Sequence, residues 1–221
     1  MHLARTRSLF VLVSLSLLAW SGCKEESSRT VVSNQTHANG DRKTSNGITI
    51  PEIKPSTKKS TLHRFGTYSF ELPERFVRTE IDAEKAKALP AGYSVATWAV
   101  QDAAGEPLES LVLMTIDDPK YAAEAKRDPR RALVNSSQGT VDRMGFQAAQ
   151  RGRYISQSWG DLRSYAMSVM MKNADNREVM GQFYILPEVS PLLSVTYINF
   201  EMKNVEQVEE VEAHLQTMAK D

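Results

Sequence analysis

Strands that are apolar on both faces constrain this chain more than any other feature. Between Leu162 and Lys172, Tyr165, Met167, Val169 and Met171 alternate with Ser164, Ala166, Ser168 and Met170. Further on, Phe183 and Ile185 alternate with Tyr184 and Leu186. From Ser164 to Met171 and from Phe183 to Leu186 there is no charged residue, so neither side can be left to water cheaply. A sheet built from such strands must be covered on both faces.

The surrounding pattern supplies the cover. Alternation predicts strands at Thr67 to Leu72, Tyr93 to Val100, Leu108 to Ile116, Phe146 to Gln157, Leu162 to Lys172, Arg177 to Leu186 and Leu192 to Phe200. Short polar links at Ala103 to Glu106, Trp159 to Asp161 and Asn173 to Asn176 imply antiparallel hairpins. A short helix is expected over Asp82 to Leu89, stopped by Pro90 and Gly92. Asp128-Pro129 reads as a helix start, with Asp as cap and Pro in the first turn, and Gly145 as the stop near Met144. A last helix opens at Asn204, with Gln207 three residues on as in a capping box. Its apolar stripe is Val205, Val208, Val211, Leu215 and Met218, and its wet side Glu206, Glu209, Glu210 and Glu212. The fold class is therefore α+β. The expected architecture is an antiparallel sheet of about six or seven strands covered by helices, an α/β/α sandwich.

The beginning of the chain has a different character. Basic Arg5 and Arg7 precede a largely apolar run from Leu9 to Ala19, followed by Trp20, Ser21, Gly22 and Cys23, the sole cysteine. The run is too short for a membrane-spanning helix. The arrangement resembles a bacterial lipoprotein signal peptide over residues 1–22, although Trp20 stands where Leu, Val or Ile is usual. That resemblance implies cleavage before Cys23 and acylation of its thiol with fatty acids such as palmitate. It places the domain outside the cytoplasm, held to the membrane of the cell envelope by lipid. The alternative is an ordinary secretory leader with an incidental cysteine. Each buried methylene adds ~0.8 kcal/mol, so two or three chains hold stably where one does not.

Residues 23–62, the acylated cysteine and the polar stretch after it, read as a disordered tether. Their apolar clusters are only Val31 with Val32 and Ile48 with Ile50 and Ile53, too little to offset chain entropy. Residues 63–221 then form one folded domain, long enough to bury a core without disulfides. Lys+Arg and Asp+Glu each number 27. Loss of Arg5 and Arg7 with the leader leaves the mature chain slightly acidic, which gives no electrostatic case for nucleic acid.

Gly66-Thr67-Tyr68-Ser69-Phe70-Glu71-Leu72-Pro73 near the domain start, and Leu192-Leu193-Ser194-Val195-Thr196-Tyr197 leading into the final helix, resemble a PsbP-like domain. The resemblance rests on element order more than on identities. It implies the fold shared by a photosystem II extrinsic protein, a eukaryotic Ran-binding protein and many bacterial lipoproteins. It also implies a non-enzymatic binding or assembly role, without naming a partner.

The residues by themselves point to no chemistry. His37, His63 and His214 are scattered, two of them in or beside the tether, so no metal or cofactor site is expected. His214 belongs near the final helix's C-terminus, where a cation meets the dipole favourably. Asp117-Asp118 before Pro119 reads better as a strand-end turn than as a carboxylate pair. Lys126, Arg127, Arg130 and Arg131 cluster at a helix start, where an anion could bind, but Glu124 and Asp128 flank them as on a solvated face. Met167, Met170 and Met171 read as core filling rather than copper ligands. Trp159, in a polar hairpin tip, is the single side chain singled out for partner contact; otherwise it folds back to staple its own strands. The function expected is a lipid-anchored envelope binding or assembly module without catalytic activity, with an unidentified envelope protein as partner. The alternative is an envelope enzyme whose dispersed site the sequence hides.

Overall fold

The structure, a computed structural model, describes residues 59–81, 86–201 and 205–220. Cys23, the leader, almost all of the expected tether, Asp82 and Asn204 lie outside the described residues.

Seven antiparallel strands form the main sheet: β3 (Val77–Thr79), β4 (Tyr93–Gln101), β5 (Pro107–Ile116), β6 (Gln147–Trp159), β7 (Leu162–Lys172), β8 (Glu178–Leu186) and β9 (Leu192–Asn199). Their order across the sheet is β3-β4-β5-β9-β8-β7-β6, so β3 and β6 are its edges. A small second sheet, in the order β1-β2-β10, contains β1 (Ser60–Phe65), β2 (Tyr68–Pro73) and β10 (Ala219–Lys220). The fully described helices are α1 (Pro119–Arg127), α2 (Pro129–Arg143) and α3 (Val205–Leu215). Of the short helix expected over Asp82 to Leu89, Ala86 and Lys87 are helical among the described residues.

Both faces of the main sheet are covered, as the apolar residues on both sides of its central strands require. One face packs Met167, Val169, Met171, Val179, Phe183 and Ile185 under α1 and α2, against Ala125, Leu133 and Val141. The other packs Trp98, Leu111, Leu113, Tyr184, Val195 and Tyr197 under α3, against Val208, Val211 and Leu215, and under the small sheet, against Tyr68, Phe70 and Leu72. The third layer is thus part helix and part sheet. The first expected strand, now β2, leaves the main sheet to form it. Strand β1 begins at Ser60, so its first three residues, assigned by composition to the tether, pair with Pro73, Leu72 and Glu71.

Local signals act as their chemistry dictates. Asp102 accepts from the backbone N–H groups of Ala104 and Glu106 at 2.8 and 2.9 Å, closing the β4–β5 turn. Asn173 does the same for Asp175 and Arg177 in the β7–β8 turn, at 3.0 and 2.9 Å. Asp128 caps α2 by accepting from the Arg131 N–H at 3.0 Å. Gly145, at φ 66°, ends that helix: its N–H donates to Asp142 and that of Phe146 to Val141.

Helix α1 was not expected. Asp117-Asp118-Pro119 is not simply a strand-end turn. Asp118 caps α1, accepting from the N–H groups of Lys120 and Tyr121 at 2.9 and 3.1 Å. The Asp-Pro pair that starts α2 therefore occurs twice, ten residues apart in sequence. Its second copy also ends α1, because the Asp128 N–H donates to the Glu124 carbonyl at 2.9 Å.

Candidate functional site

The sequence candidates scatter over the fold. Trp159 ends β6 and is fully buried, with its ring 4.8 Å from that of Tyr184. Of the two readings of Trp159, burial rules out the exposed partner contact and agrees with an indole folded inward: the apolar interior beneath α3 takes it up, and only Gly160 and Asp161 form the turn. Lys126 and Arg127 lie in the last turn of α1, Arg130 and Arg131 in the first of α2. Arg127 and Arg131 share a shallow cleft of about 190 Å³ with Glu124 and Asp128, which balance their charge. Met167 and Met171 fill the core under α2. His63, on β1, accepts from the Trp98 indole N–H at 3.2 Å. Burial, and then the charge of Arg78, lowers its pKa below the ordinary 6.5. His214 lies in the last turn of α3, as its sequence position implies, and is buried there, with Nδ1 3.9 Å from the Glu71 carboxylate.

Distant parts of the chain meet in a polar cluster that the sequence did not reveal. Arg75, between β2 and β3, forks onto Glu109 of β5, with Nε 2.7 Å from Oε1 and Nη2 3.1 Å from Oε2. Its Nη1 donates to Glu210 of α3 at 2.8 Å. The Tyr197 hydroxyl on β9 donates to Glu109 Oε2 at 2.7 Å. Glu109 is 3% exposed and Glu210 7%, so Glu210 is not on the wet side of its helix. Burial alone would lower the pKa of Arg75, but the two carboxylates hold its guanidinium charged more firmly than usual. Burial, reinforced by Glu109, pushes the Tyr197 hydroxyl far up. These groups are committed to one another. Together they tie α3 to the sheet, the structural use of a buried charge network.

The accessible polar chemistry lies elsewhere, along β6. This edge strand is 13 residues long, well beyond the usual five or six. Most of its side chains are exposed, including Arg151, Arg153 and Ile155. Two irregularities in its pairing with β7 bend it, one between Ala148 and Gln150 and one between Arg151 and Tyr154. On the α2 side of the sheet, Tyr154 stacks on Tyr165 with ring centroids 5.6 Å apart and planes 11° from parallel. The Arg163 guanidinium sits 5.3 Å from the Tyr165 ring, and its Nε donates to Ser156 at 3.2 Å. Burial and the Tyr165 neighbour raise the Tyr154 pKa, while Arg163 and Arg130 work against that rise. Arg151 bonds to Gln138 of α2. Tyrosine and arginine side by side, partly open to water, are suited to recognition. Period-two alternation with Arg151 and Arg153 on a chain stretch free of carboxylates was the available signal. What it lacked was the knowledge that β6 is an edge. Among the described residues no group of three or more His, Cys, Asp or Glu is placed to hold a metal ion, and no helix is long and apolar enough to cross a membrane.

No protein-family model matches the chain, and no curated protein matches its sequence. Among solved structures it is similar to the Ran-binding protein Mog1p of Saccharomyces cerevisiae, with a TM-score of 0.43 and 11% identity, covering 74% of this chain and 96% of that one. It is likewise similar to the cyanobacterial PsbP of Synechocystis, with a TM-score of 0.42 and 11% identity over 75% of this chain and 95% of that one. A Bacteroides thetaiotaomicron protein gives a TM-score of 0.45 and 10% identity over 75% of this chain, which spans only 49% of that protein's length. PsbP and a Ran-binding protein, the two named by the sequence resemblance, are thus among the structures this chain is similar to.

Proposed function

We propose that this chain is a binding or assembly module of the bacterial cell envelope, held to the membrane by acylated Cys23 and acting without catalysis on an envelope protein partner. The observation that supports this reading is the stacked Tyr154–Tyr165 pair with Arg163 beside it, at an open edge of the sheet. Tyr and Arg are the residue types that dominate binding energy at protein interfaces. The buried carboxylates Glu109 and Glu210 and the Tyr197 hydroxyl are bonded within the Arg75 cluster.

A photo-crosslinking amino acid placed at Ser158, exposed beside Arg163, tests the binding role in intact cells. A discrete adduct is expected from Ser158 and not from Leu62, exposed on the small sheet. Absence of any adduct from Ser158 would overturn the binding surface. The anchor is tested separately by radiolabelled palmitate. Cys23→Ala is expected to lose the label and to leave the membrane fraction or remain uncleaved, and full membrane association of a cleaved Cys23→Ala protein would remove the anchor.

A further inference from the structure

Among the described residues strand β6 has a neighbour, β7, on one side only, which leaves the backbone donors and acceptors of its other side for a further strand. Proteins usually keep such edges short, whereas this one runs for 13 residues. The pairing with β7 is regular from Tyr154 to Trp159, which leaves a straight stretch able to template a neighbour. Its charge is one-sided: Arg151 and Arg153 lie on the strand with no Asp or Glu between Gln147 and Trp159. On the adjoining face Arg163 of β7 and Arg130 of α2 act on Tyr154, with Asp128 as the opposing charge there.

We propose that β6 binds an extended acidic peptide segment of a partner by strand addition, the backbone edge supplying affinity and the arginines supplying selection for carboxylates. This rests on the binding-module reading above and specifies its partner. A second copy of β6 would add the positive charge of its own Arg151 and Arg153 to the same edge without any carboxylate to balance it. An acidic strand meets the same arginines as counter-charges. Ile155, 45% exposed on the α3 side, offers an apolar contact to the added strand, whose every second residue faces that side. A flat anionic lipid surface would use the arginines but not the backbone edge, and the peptide is the occupant that uses both.

The test measures fluorescence anisotropy of a labelled peptide of about ten residues, alternating Glu and Val, with the detergent-solubilised full chain. Binding is expected, weakening with salt as charge screening requires. The double variant Arg151→Glu, Arg153→Glu should bind it about tenfold more weakly and should gain affinity for a Lys-Val counterpart. The decisive probe is the same Glu-Val peptide N-methylated at alternate residues, which keeps every carboxylate but cannot complete a ladder. It is expected to lose binding by about tenfold or more. Equal binding of the methylated and unmethylated peptides would overturn strand addition, and so would no binding of the Glu-Val peptide. Arginine-dependent binding to vesicles of phosphatidylglycerol and phosphatidylethanolamine, with no peptide binding, would replace the peptide by a membrane surface. Crosslinking from Ser158 without peptide binding would overturn this inference while leaving the binding-module reading standing.

Discussion

Arg75 grips Glu109 with two nitrogens on one edge of its guanidinium, Nε at 2.7 Å and Nη2 at 3.1 Å, across 34 residues of sequence. A planar fork matched to a carboxylate is a geometry lysine cannot reproduce. The remaining nitrogen reaches Glu210, so one cation between β2 and β3 holds the middle of the sheet and the last helix in fixed relation.

Removing that cation leaves two buried carboxylates facing each other. Arg75→Ala is expected to lower stability by about 3 kcal/mol, the low end for breaking a buried pair because Arg75 keeps some contact with water. Adding Glu109→Gln and Glu210→Gln to Arg75→Ala should recover part of the loss, since neutral amides remove the repulsion. Urea unfolding of the three-site and single-site variants measures both. An Arg75→Ala protein as stable as the parent would show that the cluster contributes nothing.

Trp159 gives a packing prediction, the inward-folded of the two roles its sequence allows. Its ring is fully buried against Tyr184, so Trp159→Ala should cost about 3–5 kcal/mol and weaken the near-ultraviolet dichroism. Its indole N–H has no hydrogen-bond partner among the described residues, so Trp159→Phe should cost distinctly less. Equal losses from the two variants would point to an indole-specific interaction.

His63 makes stability depend on pH. Its folded-state pKa is below 6.5, through burial first and Arg78 second, so the unfolded chain binds the proton more tightly than the folded one. The stabilisation from neutral His63 is therefore complete above 6.5 and is lost as the pH falls through the folded-state value. Protonation also ends the bond that Nδ1 accepts from Trp98. Urea midpoints between about pH 8 and about pH 5 should fall more steeply for the parent than for His63→Gln. Parallel curves would show that His63 does not set the pH dependence.

Helix α3 is expected to be indispensable. Val208, Val211, Leu215 and, just beyond the helix, Met218 are buried, each contributing about 1.5–3 kcal/mol. Together they rival the whole stability of an ordinary domain. A chain ending at Glu201 should show neither cooperative melting nor protected amides in hydrogen exchange. A dispersed, protected spectrum would contradict the placement of α3 in the core.

The sequence by itself determined the features whose causes are local. Asp102-Ala103-Ala104-Gly105 makes a turn because the Asp side chain bonds the backbone two and four residues on. Leu162 to Lys172 is a strand with two apolar faces because alternation is a property of consecutive residues, and that pattern already required cover on both sides. Even the missed helix α1 was written locally, in an Asp-Pro start that matches the one before α2. Only the tertiary structure decided the rest, because burial depends on which distant residues meet. Glu210 looks like a solvent-facing residue on its helix and is buried because Arg75, 135 positions earlier, neutralises it. Trp159 looks exposed in a polar segment and is buried because α3 closes over it. Strand β6 is an edge because the chain supplies no partner beyond it among the described residues, and no pattern within its 13 residues states that. Periodicity fixes which side of a strand faces inward, but the free energy that hides a charge or leaves a backbone open comes from elements far away in the chain.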